Sequence, residues 1–146
     1  MQFEYHVYDK ELPDTILIEL KKLHQVIFNT SEDLEEKMST KSNVQIIVAI
    51  SDGKVIGYKI GYAIDKHIFY SWLGGVDPEY RGHGIASKLM DKQHQVSKEL
   101  DYKIVRTKTM NKWRNMLILN IKNGFDITEV LTEDDGTQKI VLEKRL

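Results

Sequence analysis

Apolar and polar positions change period several times along this chain, and each change marks an element. Residues 2–8 alternate as a strand does. Pro13 then suits the first turn of a helix, where its missing N–H costs nothing. Ile16, Leu20, Leu23 and Ile27 follow at helical spacing. The segment "TSEDLEEKMSTKS" opens with a cap-like Thr30 or Ser31 and predicts a second, acidic helix. Residues 44–50, "VQIIVAI", are nearly all apolar and β-branched, the pattern of a buried strand. Asp52-Gly53 signals a hairpin. The next strand alternates strictly, and regular pleating puts Ile56, Tyr58, Ile60, Tyr62 and Ile64 on one face.

Residues 68–76 predict a further strand, interrupted by Gly74-Gly75. Glycine inside a strand marks a bulge or a close backbone approach. Ile85, Leu89, Val96 and Leu100 mark a helix of about four turns. Residues 103–109 read as a strand and 113–123 as a helix. Gly124 sits where helices end in a left-handed residue. Residues 125–131 and 139–142 predict a last hairpin around Asp135-Gly136. The order β-α-α-β-β-β-α-β-α-β-β points to a mixed sheet with helices on both faces.

Composition narrows the class without choosing a function. The 146 residues suit one domain over 1–146 with a substantial core. Hydrophobic residues at 41% and charged residues at 29% are those of an ordinary globular chain. A net charge of −1 supplies no global field toward nucleic acid or anionic membrane. The chain has no cysteine, so disulfides, a thiol nucleophile and a cysteine-ligated metal are excluded. His67 and His94 lack metal-ligand spacing and are expected at the surface. No apolar run matches a membrane span, and the N-terminal residues do not resemble a signal peptide. A cytoplasmic location is expected.

One stretch concentrates the chemistry: "VDPEYRGHGIASKL", residues 76–89. It runs from a strand through a proline turn into glycines and a helix. Gly82 and Gly84 allow backbone angles that side chains forbid. The helix starting near Ile85 presents unsatisfied N–H groups and a positive dipole end. Together they form an anion cradle suited to phosphate. Arg81 adds a planar charged donor, and Ser87 a hydroxyl. The spacing matches neither G-x-G-x-x-G nor a Walker A loop. A plain glycine turn feeding a helix is the alternative.

"VDPEYRGHGIASKLM" resembles the acetyl-CoA-binding signature of the GNAT acetyltransferase superfamily, V-x-P-x-x-R-G-x-G-[IL]-[GA]. Downstream, "MLILNIKNGF" is similar to that family's last helix, which ends in a glycine-phenylalanine pair. The resemblance implies an α/β fold with a mixed, mostly antiparallel sheet of about seven strands. It also implies a cleft where the fourth and fifth strands splay apart. It implies N-acetyl transfer from acetyl-CoA to a primary amine within a ternary complex, with no metal. The acceptor is left open among a small amine, an amino-acid derivative and a peptide N-terminus. A non-catalytic acyl-CoA-binding module on the same fold is the alternative. Family members often pair, which allows a homodimer.

By the same resemblance, the pyrophosphate falls on the backbone of Arg81, Gly82, His83, Gly84, Ile85 and Ala86, with Ser87 beside them. The strand break falls at Gly74-Gly75. Gly75 and Val76 then meet the pantetheine arm, and the amide near Gly74 polarises the thioester carbonyl. Many members carry a tyrosine acid four residues before the glycine-phenylalanine pair; here that residue is Asn120. Asn120 is expected to meet the coenzyme arm, with a backbone cap as its alternative. Asn111 is a weaker coenzyme contact or an ordinary N-cap. Some members place a glutamate base three residues before the motif valine; here that residue is Leu73. Ser71 shares the face of Leu73 if the strand is regular, and could hold a water. Leu73, Phe28 and Glu32 are candidates for the acceptor side, although Phe28 also suits the core and Glu32 a solvated helix face.

A thiol of pKa about 8.5 leaves tolerably as thiolate, so an acid helps without being essential. A lysine-like amine at about 10.4 needs a base, whereas an α-amine at about 7.7–8.0 is partly neutral already. Without a carboxylate on residues 68–76, a low-pKa amine or a water-relayed proton is favoured.

Overall fold

A computed structural model describes residues 2–30 and 33–146. Its elements are β1 (Glu4–Tyr8), α1 (Asp14–Phe28), α2 (Leu34–Ser39), β2 (Gln45–Ser51), β3 (Lys54–Ala63), β4 (Ile68–Val76), α3 (Ile85–Glu99), β5 (Ile104–Thr109), α4 (Arg114–Lys122), β6 (Asp126–Thr132) and β7 (Gln138–Arg145). The order is the one the sequence predicts, with a 3-10 turn (Pro78–Tyr80) added before α3.

The strands form one seven-stranded sheet in the order β1-β2-β3-β4-β5-β7-β6. Every neighbouring pair is antiparallel except β4 with β5. That parallel pairing covers only Ile68 to Ser71 against Ile104 to Thr107. Beyond it β4 stays with β3 as far as Val76, while β5 stays with β7. The sheet therefore opens as a V at its centre.

Capping explains the helix ends. Pro13 stands at the N-cap of α1, one position before the predicted first turn. Left-handed Asn29 closes that helix and donates its N–H to Gln25 O at 2.8 Å. The cap of α2 is Asp33 rather than Thr30, and Ser31 lies outside the described residues. Asp33 Oδ1 accepts from Glu35 N at 2.9 Å and Glu36 N at 3.4 Å. Gly124 (φ 94°) follows α4, and Phe125 N reaches back to Asn120 O at 3.0 Å.

Helices cover both faces. Leu20 and Leu23 of α1 join Leu34 and Met38 of α2 over Ile46, Val48, Tyr58 and Ile60. On the opposite face, Ile85 and Leu89 of α3 cover Ile47, Ala49, Ile56 and Val76. Further along that face, Met90 packs with Val105, Phe125 and Leu142, joined by Leu117 and Leu119 of α4. Burying each such side chain fully contributes roughly 1.5–3 kcal/mol.

Two bulges break the regular pleating. Ala49 pairs with Gly57 but Ile50 with Val55, leaving Ile56 as the extra residue of β3. Ile56 accordingly packs under α3, while Val55, Tyr58 and Ile60 pack under α1. The expected single face for Ile56 and Tyr58 is therefore wrong, because two residues of β3 oppose one of β2. The second bulge lies in β4, where Ile60 pairs with Leu73 and Gly61 with Ser71. Trp72 is the extra residue.

Candidate active site

The turn after β4 is braced before it is free. Asp77 N donates to Ile56 O at 2.8 Å, and Asp77 Oδ1 accepts from Glu79 N at 2.9 Å. Lys54 Nζ lies 3.6 Å from Asp77 Oδ2. Phe3 sets its ring edge-on against Tyr80 and His83. Gly82 (φ 86°) and Gly84 (φ 75°) then take left-handed angles, and Gly84 is the N-cap of α3. A Cβ added at either would meet no atom within 4 Å, so glycine serves the backbone angle here and the space above the turn is open.

Among the described residues, no backbone N–H from 81 to 87 donates to a backbone carbonyl. The first bond of the helix is Lys88 N to Gly84 O at 3.1 Å. Seven successive amides, from Arg81 to Ser87, thus lead into α3 without a backbone acceptor, a geometry that suits an anion. Arg81 does more than offer charge, because its Nε donates to Val76 O at 3.2 Å and ties the turn to the strand end.

The break in β4 falls at Trp72, not at Gly74-Gly75. Both glycines remain paired with β3, Gly74 opposite Lys59 and Gly75 opposite Tyr58. Their smallness has a different cause. A Cβ on Gly75 would sit 2.6 Å from Ile27 Cδ1, so Gly75 lets α1 close onto the sheet. A Cβ on Gly74 would sit 3.1 Å from Tyr58 O and 3.5 Å from Lys59 Cγ.

The bulge also separates Ser71 from Leu73. Leu73 and Trp72 pack on the α1 side, whereas Ser71 pairs with Gly61, whose missing side chain points to Phe69 and the α3 side. Ser71 is buried and its carbonyl accepts from Thr107 Oγ1 at 3.0 Å, closing the last rung of the β4–β5 seam. It does not share a face with Leu73.

Asn120 is buried on α4, one turn after Leu117. The side-chain cap of that helix end comes from Asn123 Nδ2 to Leu119 O at 2.8 Å, and the Asn120 amide has no hydrogen-bond partner among the described residues. Trp113, one turn before Leu117, is exposed, with Lys112 Nζ 5.0 Å from its ring centroid. Asn111 is exposed and does not cap α4, whose N-cap is Trp113. Phe28 is exposed at the end of α1 and packs on the buried His24 ring, 4.9 Å away. Glu32 lies outside the described residues.

Several residues with chemistry were missed or misplaced by the sequence reading. His24 Nδ1 and Tyr58 Oη are 2.5 Å apart under α1, and burial raises the tyrosine pKa. Lys41 Nζ lies over the rings of Tyr62 and Trp72, at 4.9 and 5.2 Å. His94 is buried, not at the surface. Its Nδ1 is 3.3 Å from Lys144 Nζ, and burial followed by the charges of Lys144 and Lys59 lowers its pKa to about 3. Lys59 keeps some surface, yet its ammonium is surrounded by protein, and desolvation lowers its pKa to about 8. An isolated lysine or histidine gives no pattern by which burial could be read beforehand.

Comparison with known proteins bears on the whole arrangement. The family described as "Acetyltransferase (GNAT) domain" matches residues 42–126. No curated protein matches. Among solved structures, a GNAT family acetyltransferase from Elizabethkingia anophelis with acetyl-CoA bound is 20% identical; the match covers 99% of this chain and 98% of that one, with TM-score 0.77. The ribosomal-protein-S18-alanine N-acetyltransferase from Escherichia coli is 14% identical over 97% and 94%, with TM-score 0.79. A chain of the NatC complex bound to Gag peptide and CoA is 19% identical over 100% and 99%, with TM-score 0.78. These likenesses, over nearly the whole of each chain, show a shared fold. With more than half its length matched by the family, and the signature on the turn that opens α3, this chain belongs to the GNAT acetyltransferases.

Proposed function

We propose that this chain transfers the acetyl group of acetyl-CoA to a primary amine by direct attack. The observation that carries the reading is the run of unpartnered amides at residues 81–87, opening on free space at the start of α3. Those amides and the outer nitrogens of Arg81 would hold the pyrophosphate. The edge of β4 beyond Ser71, left by β5, offers backbone groups at Gly75 and Val76 to the amides of the pantetheine arm. The backbone amide at Gly74 would stabilise charge on the carbonyl oxygen, and Asn120 would hydrogen-bond the arm. Acetyl-CoA supplies an activated acyl group; the protein supplies mainly positioning of the amine against it.

The acceptor enters from the α1 side, along Phe28 and Leu73; Glu32, outside the described residues, is kept as a candidate for attracting it. Neither residue on that wall is a base. An α-amine, partly neutral at physiological pH, fits better than a lysine side chain. Two of the neighbours, by their descriptions, act on a protein's alanine or bind a peptide. A peptide N-terminus is therefore the first acceptor to test.

Calorimetric titration with acetyl-CoA, with ATP and NAD as controls, tests the coenzyme. Selective binding of acetyl-CoA is expected, and Arg81→Ala should weaken it by about 1.5–3 kcal/mol, the worth of a charged hydrogen bond. Unchanged affinity in that variant would remove the turn from the site. Turnover with a peptide panel then separates an enzyme from a module that only binds the coenzyme.

A further inference from the structure

The wall beside Leu73 is aromatic and carries a cation. Trp72, the extra residue of the β4 bulge, packs on the α1 side with Leu73. Its ring meets Tyr62 of β3 edge-on at 5.6 Å, and Tyr62 meets Tyr70 at 5.4 Å. Trp72 is also the first residue of β4 past the last β5 rung at Ser71, so the ring group stands where the sheet begins to open. Lys41, between α2 and β2, reaches onto these rings. Its Nζ lies 4.9 Å from the Tyr62 centroid and 5.2 Å from that of Trp72. Its backbone is fixed as well, because Lys41 N donates to Met38 O at 3.1 Å and Ala63 N donates to Ser42 O at 2.9 Å.

The far bank of the opening has the same sign. Arg106 and Lys108 of β5 alternate with Val105, which packs under α3, so both face the α1 side. Lys108 is the first residue of β5 past the rung that joins Thr107 to Ser71. Of the carboxylates on this face, Glu143 is taken by Arg106 at 2.6 Å, and Glu129 stands on β6, beyond β7. Among the described residues, no carboxylate lies within ion-pair distance of Lys41 or Lys108. A π face attracts an ammonium without neutralising it, and leaves N–H donors turned away from the ring. Lys41 is thus held in place with its charge still unspent.

We propose that the acceptor carries a carboxylate beside its reactive amine, and that Lys41 binds that carboxylate. The inference rests on the acetyl-transfer reading above and names the acceptor class for it. The carboxylate has two sources of one chemistry: the α-carboxylate of a free amino acid, or an acidic side chain on the first residue of a peptide. Tyr62 and Trp72 fix Lys41 before the acceptor arrives, so little side-chain freedom is lost on binding. Lys108 adds attraction from across the opening. Two unpaired cations also discriminate against an acceptor that brings a second positive charge.

The test measures acetylation of two matched pairs by wild type, Lys41→Met and Lys41→Arg. One pair is a peptide beginning with Asp and the same peptide beginning with Asn. The other is free alanine and alaninamide. Wild-type kcat/KM should favour the acid member of at least one pair by about tenfold or more, the worth of a charged hydrogen bond. Lys41→Met should erase that preference through KM rather than kcat, and Lys41→Arg should keep part of it. Each variant is compared on the same pair, so differences in amine basicity cancel. Preference confined to the peptides assigns an acidic first residue; preference confined to alanine assigns a free amino acid. Equal use of both members in both pairs, or a preference that survives in Lys41→Met, overturns the proposal. Faster turnover of a peptide beginning with Lys overturns it too, and gives the rings to the acceptor's cation. If Lys41→Met does not fold, protection of wild-type Lys41 from an amine-modifying reagent by the acetylated acids, but not by the acetylated amides, decides the same point; equal protection overturns it. No turnover of either pair by a protein that binds acetyl-CoA sinks this inference alone. Failure to bind acetyl-CoA sinks the acetyl-transfer reading, and this inference with it.

Discussion

Single residues here carry roles that their neighbours in sequence do not announce. Asn120 is the clearest. Its backbone carbonyl closes α4 through Phe125 N, while its side-chain amide makes no hydrogen bond among the described residues and is not sealed from solvent. An amide in that position is free to meet a ligand without a buried bond being broken. Asn120→Ala is expected to weaken CoA several-fold and to leave Tm nearly unchanged. A fall in Tm with unaltered CoA affinity would assign the residue to structure alone. The glycines divide by cause in the same way. Gly82 and Gly84 are required by backbone angle in open space, whereas Gly74 and Gly75 are required by what lies against them. The sequence marks all four as glycine and cannot distinguish the two reasons.

At the level of elements, the strands and helices were legible because their periods are strong and their ends are punctuated. Pro13, Asp52-Gly53, Gly124 and Asp135-Gly136 all mark boundaries that the structure keeps. The bulges were not legible. A bulge is a mismatch between two strands, and the alternation of β3 taken alone places Ile56 with Tyr58 as confidently as any regular strand would. The same blindness put Ser71 beside Leu73. Gly61 shows how tightly the bulged region is built. A Cβ there would lie 2.6 Å from the Tyr70 carbonyl oxygen and against the Phe69 ring. Backbone cannot yield as a flexible side chain can, so Gly61→Ala should cost about 1–3 kcal/mol in denaturant unfolding. Gly75→Ala meets only side-chain atoms, Ile27 Cδ1 at 2.6 Å and Cγ2 at 3.1 Å, and should cost less. The reverse ranking would mean that the β3–β4 pairing shifts register easily.

Across the whole molecule, the polar layer between α3 and the sheet sets the response to pH. The folded His94 pKa of about 3 is below its ordinary 6.5. Between those values the unfolded chain takes up a proton that the folded chain refuses. Stability therefore falls as pH drops through 6.5, by about 1.4 kcal/mol per pH unit from this group. His94→Gln, which keeps an acceptor for Lys144, should flatten that slope in unfolding measured from pH 7 to 4. Lys59 acts at the other end. Its folded pKa of about 8 is below 10.5, so its burial penalty fades and stability rises as pH climbs through that window. None of this was visible in the sequence, where both residues look like ordinary surface charges.

The short parallel seam between β4 and β5 has a kinetic consequence. Only four residue pairs tie the half-sheet β1-β2-β3-β4 to the half-sheet β5-β7-β6. Everything β4 offers past Ser71 on that side is an interior edge, a strand with one neighbour missing. A bound chain of amides would complete it as an added strand does. Amide hydrogens near Gly74 and Val76 should thus exchange with deuterium quickly in the free protein and slowly once acetyl-CoA is bound. Those at Ile46 to Val48, in the middle of a complete ladder, should exchange at the rate of global unfolding in both states. The coenzyme would then serve the protein as a reversible eighth strand, and its departure after each turnover would reopen the centre of the sheet.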